Sequence, residues 1–302
     1  MVLPAQTESR FLKAFEKALD QEFGFIPLAF EMSAAIHLSR LGWDVEFADL
    51  MQGSGPDLIA RKERKVVEVE CKSVSVDAGR KIHQKQFIQL LKILWLVVDS
   101  ASSESSGARV IQIELTDRLI PSNAFHMEIR DAVKLVLNGP LSENKSKEFS
   151  VSVSRNINAT RRSNAHEASL RRKNSQTIVS VASKKQDKVL GTILYRLKTD
   201  SKKQFSQKWP ALMLVQLQDL TNDQMKELKE AESPQGSGLQ HLATRLIDRR
   251  PHLLALSFMN ALECLPRTPL GVHSSQGLTY TFFNSKCPLQ EAQISETELF
   301  IY

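Results

Sequence analysis

Residues 65 to 75, KVVEVECKSVS, constrain the fold of this chain more than any other segment. Successive side chains of a strand point to opposite faces, so Val67, Val69 and Cys71 form one set and Glu68, Glu70 and Lys72 the other. The first set is apolar and suits a core; the second is wholly ionisable. Ahead of it runs GPDLIARKERK, and a tight turn centred on Glu63-Arg64 would fold the two segments into an antiparallel hairpin. In that register position 57 falls opposite position 70, with Cβ atoms about 4.5 to 5.5 Å apart. Like charges so placed repel unless a positive group stands between them. Two converging carboxylates suit a hard, oxygen-seeking cation such as Mg²⁺. The turn contains no glycine, so a slip by one or two residues stays open.

Strand-like and helix-like segments alternate along the rest of the chain. Helices are predicted over residues 7–22 and in LAFEMSAAIHLSRLG, the latter opened by Pro27 and ended at Gly42. WDVEFAD reads as a strand and MQGSG as a turn. A long helix, GRKIHQKQFIQLLKILWLVV, follows Asp77-Ala-Gly, its last residues equally compatible with strand. After the loop SASSESSG come the strand RVIQIEL, the helix NAFHMEIRDAVKLVLNG and the strand KEFSVSVSR. The basic stretch at about 156–176, NATRRSNAHEASLRRKNSQ, has no apolar period and reads as an exposed loop. Beyond it QTIVSVAS, PALMLVQLQDL, LLALSFM and LTYTFF read as strands, and VLGTILYRLKTDSKKQF, NDQMKELKEA and LQHLATRLIDRR as helices. Together they predict an α/β fold with a mixed β-sheet flanked by helices. No solenoid repeat, GxxxxGK[ST] loop or GxGxxG loop occurs.

A formal net charge of +6 permits a polyanionic partner without demanding one. The cysteines, Cys71, Cys264 and Cys287, form no CxxC or Cys/His cluster, which argues against structural zinc and for a reducing, cytoplasmic setting. The N-terminal segment carries acids and lysines unlike a secretory signal, and the apolar run Leu90–Val98 is too short to span a bilayer. A soluble protein with no membrane partner is expected.

The hairpin residues resemble the PD-(D/E)xK nuclease superfamily, the restriction-endonuclease-like fold shared with Holliday-junction resolvases. Pro56-Asp57 matches the first strand of that motif and Glu70-Cys71-Lys72 the second. Glu31, on the helix before the sheet, occupies the place of an additional acid, and Leu41-Gly42-Trp43 resembles the resolvase-like turn into a strand. The resemblance covers about residues 25–115. It implies that Asp57, Glu70 and Glu31 hold Mg²⁺ or Mn²⁺, and that Lys72 positions or polarises the attacking water. It also implies a Gln or Lys from the following helix, with Gln86 the best match among His83, Gln84 and Gln86. The tripeptide alone carries no weight, since E/D-x-K recurs at Glu63, Glu143, Asp200 and Glu227. Its order within the other parts is what distinguishes Glu70. Glu68 is extra to the pattern and reads as a solvent-facing strand residue.

The reading that follows is a metal-dependent nuclease hydrolysing phosphodiester bonds, in DNA before RNA, with defence against foreign DNA and repair both open. The alternative is a non-catalytic nucleic-acid-binding or scaffolding protein on the same fold. Phosphate contacts are expected from Lys81 and Lys85 and from Arg161, Arg162, Arg171, Arg172 and Lys173. A second basic segment holds Lys202, Lys203, Gln204 and Lys208. Cutting both strands of a duplex would favour a homodimer or a protein partner. The expected division is a nuclease-like core over residues 1–120 and an α/β region over 121–302, either separate or an extension of the same domain.

Overall fold

The structure, a computed structural model, describes residues 24–49, 55–102, 107–139, 142–155, 165–172, 175–200, 204–230, 232–233, 236–260, 277–287 and 294–299, with scattered positions between 9 and 19. The protein is α/β, with two mixed sheets and, among the described residues, seven α-helices. None of these helices is long and apolar enough to cross a membrane. The chain forms two compact units, one of residues 1–76 with 190–302 and the other of residues 77–189. Residue 120 falls inside the second unit, and each unit has its own mixed sheet.

The first unit holds helix α1 (Ile26–Arg40), the hairpin strands and a six-stranded sheet. Pro27 opens α1 and Gly42, at φ +83, lies just beyond its end, the left-handed position where glycine is favoured. Strands β1 (Asp44–Phe47), β2 (Leu58–Lys62) and β3 (Lys65–Ser75) form an antiparallel meander. Lys62 pairs with Lys65 and Leu58 with Val69, so the turn is centred on Glu63-Arg64 and the slip left open by the sequence does not occur. Glu63 makes that turn with φ 56, in the left-handed region.

Strand β3 then pairs in parallel with β9 (Ala211–Gln218), which pairs in parallel with β12 (Leu253–Met259); β13 (Thr279–Phe283) closes the sheet antiparallel to β12. All seven residues of β12 and the first seven of β9 are buried, which explains why both are apolar apart from Ser257 and Gln216: a strand covered on both faces has no wet side to mark with alternating polar residues. Val67, Val69 and Cys71 pack with Phe30, Ala34 and Leu38 of α1, as their alternation predicts. Helix α7 (Glu296–Leu299) is fastened to the same region. Trp43 Nε1 donates to Glu298 O at 2.8 Å, and Lys65 Nζ lies 2.8 Å from Glu298 Oε1.

The second unit contains α2 (Gln84–Ser102), β4 (Gly107–Leu115), α3 (Asn123–Asn138), β5 (Glu143–Lys145), β6 (Phe149–Ser154), β7 (His166–Arg172) and β8 (Ser175–Ser183). Its sheet runs in the order β5-β6-β4-β8-β7, with β4 and β8 parallel. Phe87, Leu90, Leu94 and Val98 recur at helical spacing along α2 and pack with Ile129 and Val133 of α3 against Ile111, Ile113, Val179 and Val181. Helix α2 starts at Gln84, after a 3₁₀ turn over Val76–Gly79, and stays helical to Ser102. The basic stretch is not a loop throughout, because residues His166–Arg172 pair antiparallel with β8. The stretch assigned to the nuclease resemblance is therefore divided, with α2 and β4 in the second unit.

Gly79 meets backbone on its open side. A Cβ there would lie 2.7 Å from Val189 Cα and 2.9 Å from Val189 N. Backbone cannot swing aside as a side chain can, so Gly79→Ala should cost about 1–3 kcal/mol. A thermal melt should show a drop of several degrees, and an unchanged melting temperature would refute this tight crossing.

The remaining elements are α4 (Val189–Asp200), α5 (Asn222–Glu230), α6 (Gly238–Ile247) and the short ribbon β10 (Glu232–Ser233) and β11 (Gly236–Ser237).

Candidate functional site

The hairpin register brings Asp57, one residue before β2, level with Glu70 on β3. The Asp57 carboxylate is fixed by the backbone: Cys71 N donates to Asp57 Oδ2 at 2.7 Å. Glu70 is fully buried, and Lys72, two residues along the same face, places Nζ 2.5 Å from Glu70 Oε1. Glu70 Oε2 is buried without a hydrogen-bond partner. Helix α1 brings Glu31 into the electrostatic field of Asp57, Glu70 and Lys72. Asp49, just after β1, adds a fourth acid to the field at Glu31 and Asp57.

Four acids with one lysine among them make an anionic cluster in a poorly solvated place. Burial first, then Asp57, Asp49 and Glu70, push the Glu31 carboxyl up to about 8, against which Lys72 pulls only partly. Asp57 and Glu70 are raised as well, in both cases chiefly by burial. Asp57 rises less because the Cys71 N–H and Lys72 stabilise its charge. Glu70 rises further because Asp57 opposes its ionisation.

This chemistry fits a divalent cation. A buried group of carboxyls whose ionisation is opposed by burial and by one another would accept one. Among the described residues no three His, Cys, Asp or Glu side chains stand close enough to form a complete protein cage. Mg²⁺ does not require one, since it keeps several waters and takes one or two carboxylates from its protein. Asp57 and Glu70 are two carboxyls that could serve in that way, with the Glu31 carboxyl in the same electrostatic field.

Compared with known protein families, curated proteins and solved structures, the chain finds no match. Its site must be argued from its own residues.

The other expected residues have their own local surroundings. Glu68 is not solvent-facing: it is buried, and Ser206 donates to it from both N, at 2.9 Å to Oε2, and Oγ, to Oε1. Both oxygens are thus occupied, which leaves it a structural anchor. Lys81, Lys85 and Gln86 belong to the second unit. There Lys81 Nζ pairs with Asp117 Oδ1 at 2.6 Å, and Gln86 Oε1 is buried without a hydrogen-bond partner. Arg171 and Arg172 lie on β7, also in the second unit. Arg161, Arg162, Lys173, Lys202, Lys203 and Cys264 lie outside the described residues. Asp49 was missed because a lone acid ending WDVEFAD carries no spacing signal.

Proposed function

We propose that this protein is a metal-dependent nuclease that hydrolyses phosphodiester bonds, with DNA as its substrate. The observation that carries the reading is the buried pair Asp57 and Glu70 with half-buried Lys72 on one hairpin, and Glu31 supplied by α1. No packing purpose accounts for it. Burying this many acids costs stability unless a function or a bound cation compensates.

Asp57 and Glu70 would hold the cation, with Glu31 next to them. Such an ion neutralises charge on the phosphate and lowers the pKa of a bound water. Asp57 keeps its carboxylate aimed through the Cys71 N–H, so binding needs little rearrangement at that residue. Burial raises the proton affinity of Glu31 and Glu70, so arriving positive charge would favour loss of their protons. The Lys72 side chain is half-buried, with 17% of it open to solvent, so it could face both Glu70 and a substrate oxygen. From there it would orient the attacking water or stabilise charge on the phosphoryl oxygens. Attack by that water forms a P–O bond, breaks the bond to the leaving sugar oxygen, and leaves a proton to be taken up by that oxygen or by solvent.

One observation favours a second reading. Glu70 Oε1 is already engaged by Lys72, an arrangement that a non-catalytic nucleic-acid-binding protein would keep as a neutralised pair. Wild-type protein incubated with plasmid and single-stranded DNA, and with RNA, in Mg²⁺, Mn²⁺ or EDTA decides between them. Cutting in Mg²⁺ or Mn²⁺ but not EDTA is the expected result. No cutting of any substrate by folded protein would overturn the nuclease reading.

A further inference from the structure

Away from the acids, the first unit gathers positive charge at one place. Helices α4 and α6 each carry a cation in the last turn, Lys198 and Arg245, and Arg249 and Arg250 follow α6 after Asp248. A single cation at a helix C-terminus has a local explanation, because it complements the partial negative charge of the last carbonyls. Two such ends brought together do not. Desolvation, then the fields of Arg249, Arg245 and Arg250, press the Lys198 ammonium below the usual lysine range. No carboxylate pairs with Lys198, Arg245 or Arg249 among the described residues, and neighbouring Asp248 forms no ion pair with them.

Arg250 has a different role. It is buried, and its Nη2 donates to Leu197 O at 3.2 Å, which ties the chain after α6 to the last turn of α4. This bond holds like charges together that would otherwise separate.

A continuous run of contacts leads from this cluster to the hairpin. His252, two residues after Arg250, meets the Phe205 ring edge-on at 5.5 Å between centroids. The next residue, Ser206, is the one that grips Glu68, two positions from Glu70 on the same face of β3. Between Ser206 and the start of β9 the loop exposes Lys208 and Trp209, a cation beside an aromatic ring 45% open to solvent. Gln207 holds the bend in the left-handed region, at φ 63.

We infer that Lys198, Arg245 and Arg249 form a phosphate-backbone contact surface for DNA, continued toward the hairpin by Lys208 and Trp209. The assignment of DNA rests on the nuclease reading; the patch itself does not. Cations without carboxylate partners suit a polyanion, which relieves their repulsion and releases its own counterions. An exposed ring next to a lysine suits a base stacked beside a phosphate. Glu68 and Ser206 are positioning residues in this scheme, anchoring the loop that bears them.

The test is fluorescence anisotropy of a short labelled DNA duplex in EDTA, where nothing can be cut, with single-stranded RNA as a second probe. The variant is K198Q/R245Q/R249Q; Arg250 stays in place because it is buried. The triple variant should melt no lower than wild type, since it loses repulsion. It should bind DNA at least about tenfold more weakly, and its salt dependence should be shallower by about 2.7 in log–log slope, roughly 0.9 for each of the three contacts. Wild-type affinity and slope in the variant would overturn the patch. So would wild-type protein that binds neither probe at low salt, and binding of RNA alone would overturn the DNA assignment. The nuclease reading fails separately: patch-dependent binding without cleavage in Mg²⁺ would remove the enzyme and keep the surface.

Discussion

Asp57→Asn and Lys72→Met should each lower metal-dependent cleavage by about 10²–10³-fold or more, the range seen when one transition-state-stabilising group is removed. The two should differ in what they do to metal binding. Asp57→Asn removes a ligand charge, so a thermal shift on adding Mg²⁺ should shrink with the activity. Lys72→Met takes away the cation that holds down the carboxyls of Glu31, Asp57 and Glu70. Those groups then ionise only at higher pH, and ligands must lose their protons to bind a metal. In Lys72→Met the Mg²⁺-induced shift should therefore fade near pH 6.5 and persist at pH 8.5, while cleavage stays low at both. If Lys72→Met cuts as fast as wild type, the lysine is only a charge partner for Glu70. If Asp57→Asn keeps both cleavage and the metal shift, the centre lies elsewhere.

The part of this site that sequence makes legible is local. Alternation in β3 separates Val67, Val69 and Cys71 from Glu68, Glu70 and Lys72, and a turn at Glu63-Arg64 fixes which residue faces which. Both depend on residues within one hairpin. What decides the fate of Glu68 is not local: it shares the pattern of Glu70 but is claimed by Ser206, far along the chain. The same limit applies to the sheet. The strand after α2 reads as the next strand of the core, yet β3 takes β9 as its parallel neighbour, and β4 joins the other sheet. Parallel strands are joined by crossovers of any length above a dozen or so residues, and no local period tells how much chain a crossover contains. Strand β7 escaped because it lies at a sheet edge, where charged residues such as Arg171 and Arg172 are tolerated and blur the alternation. The Lys198–Arg245–Arg249 cluster is assembled from separate helices and has no sequence signature.

Without a divalent cation, the protein should lose stability as pH rises from 7 to 8.5, and Mg²⁺ should restore it. Proton binding sets that direction. Glu31, Asp57 and Glu70 are raised in the folded protein, whereas in the unfolded chain such carboxyls ionise near 4. Between those limits the folded state holds protons that the unfolded state has released, so unfolding becomes easier with each step up in pH. The contribution is complete below the unfolded value and is lost as pH passes Glu31's value of about 8. His126, His166 and His252 act the other way, since their folded values are lowered. Their effect is complete once the unfolded imidazole has lost its proton, near pH 6.5, which is why the window starts at 7. A tenfold change in proton affinity corresponds to about 1.4 kcal/mol, so the acid cluster should contribute a few kcal/mol at most. Glu31→Gln isolates it. The variant needs no proton to be neutral, so in EDTA at pH 8.5 it should melt several degrees above wild type, with a flatter profile between 7 and 8.5. In wild type the Mg²⁺-induced shift should grow over the same range, because cation and protons compete for the same oxygens. A melting temperature that is level from pH 7 to 8.5 in EDTA, and indifferent to Mg²⁺, would mean that these carboxyls are neither strained by their burial nor built to hold a cation.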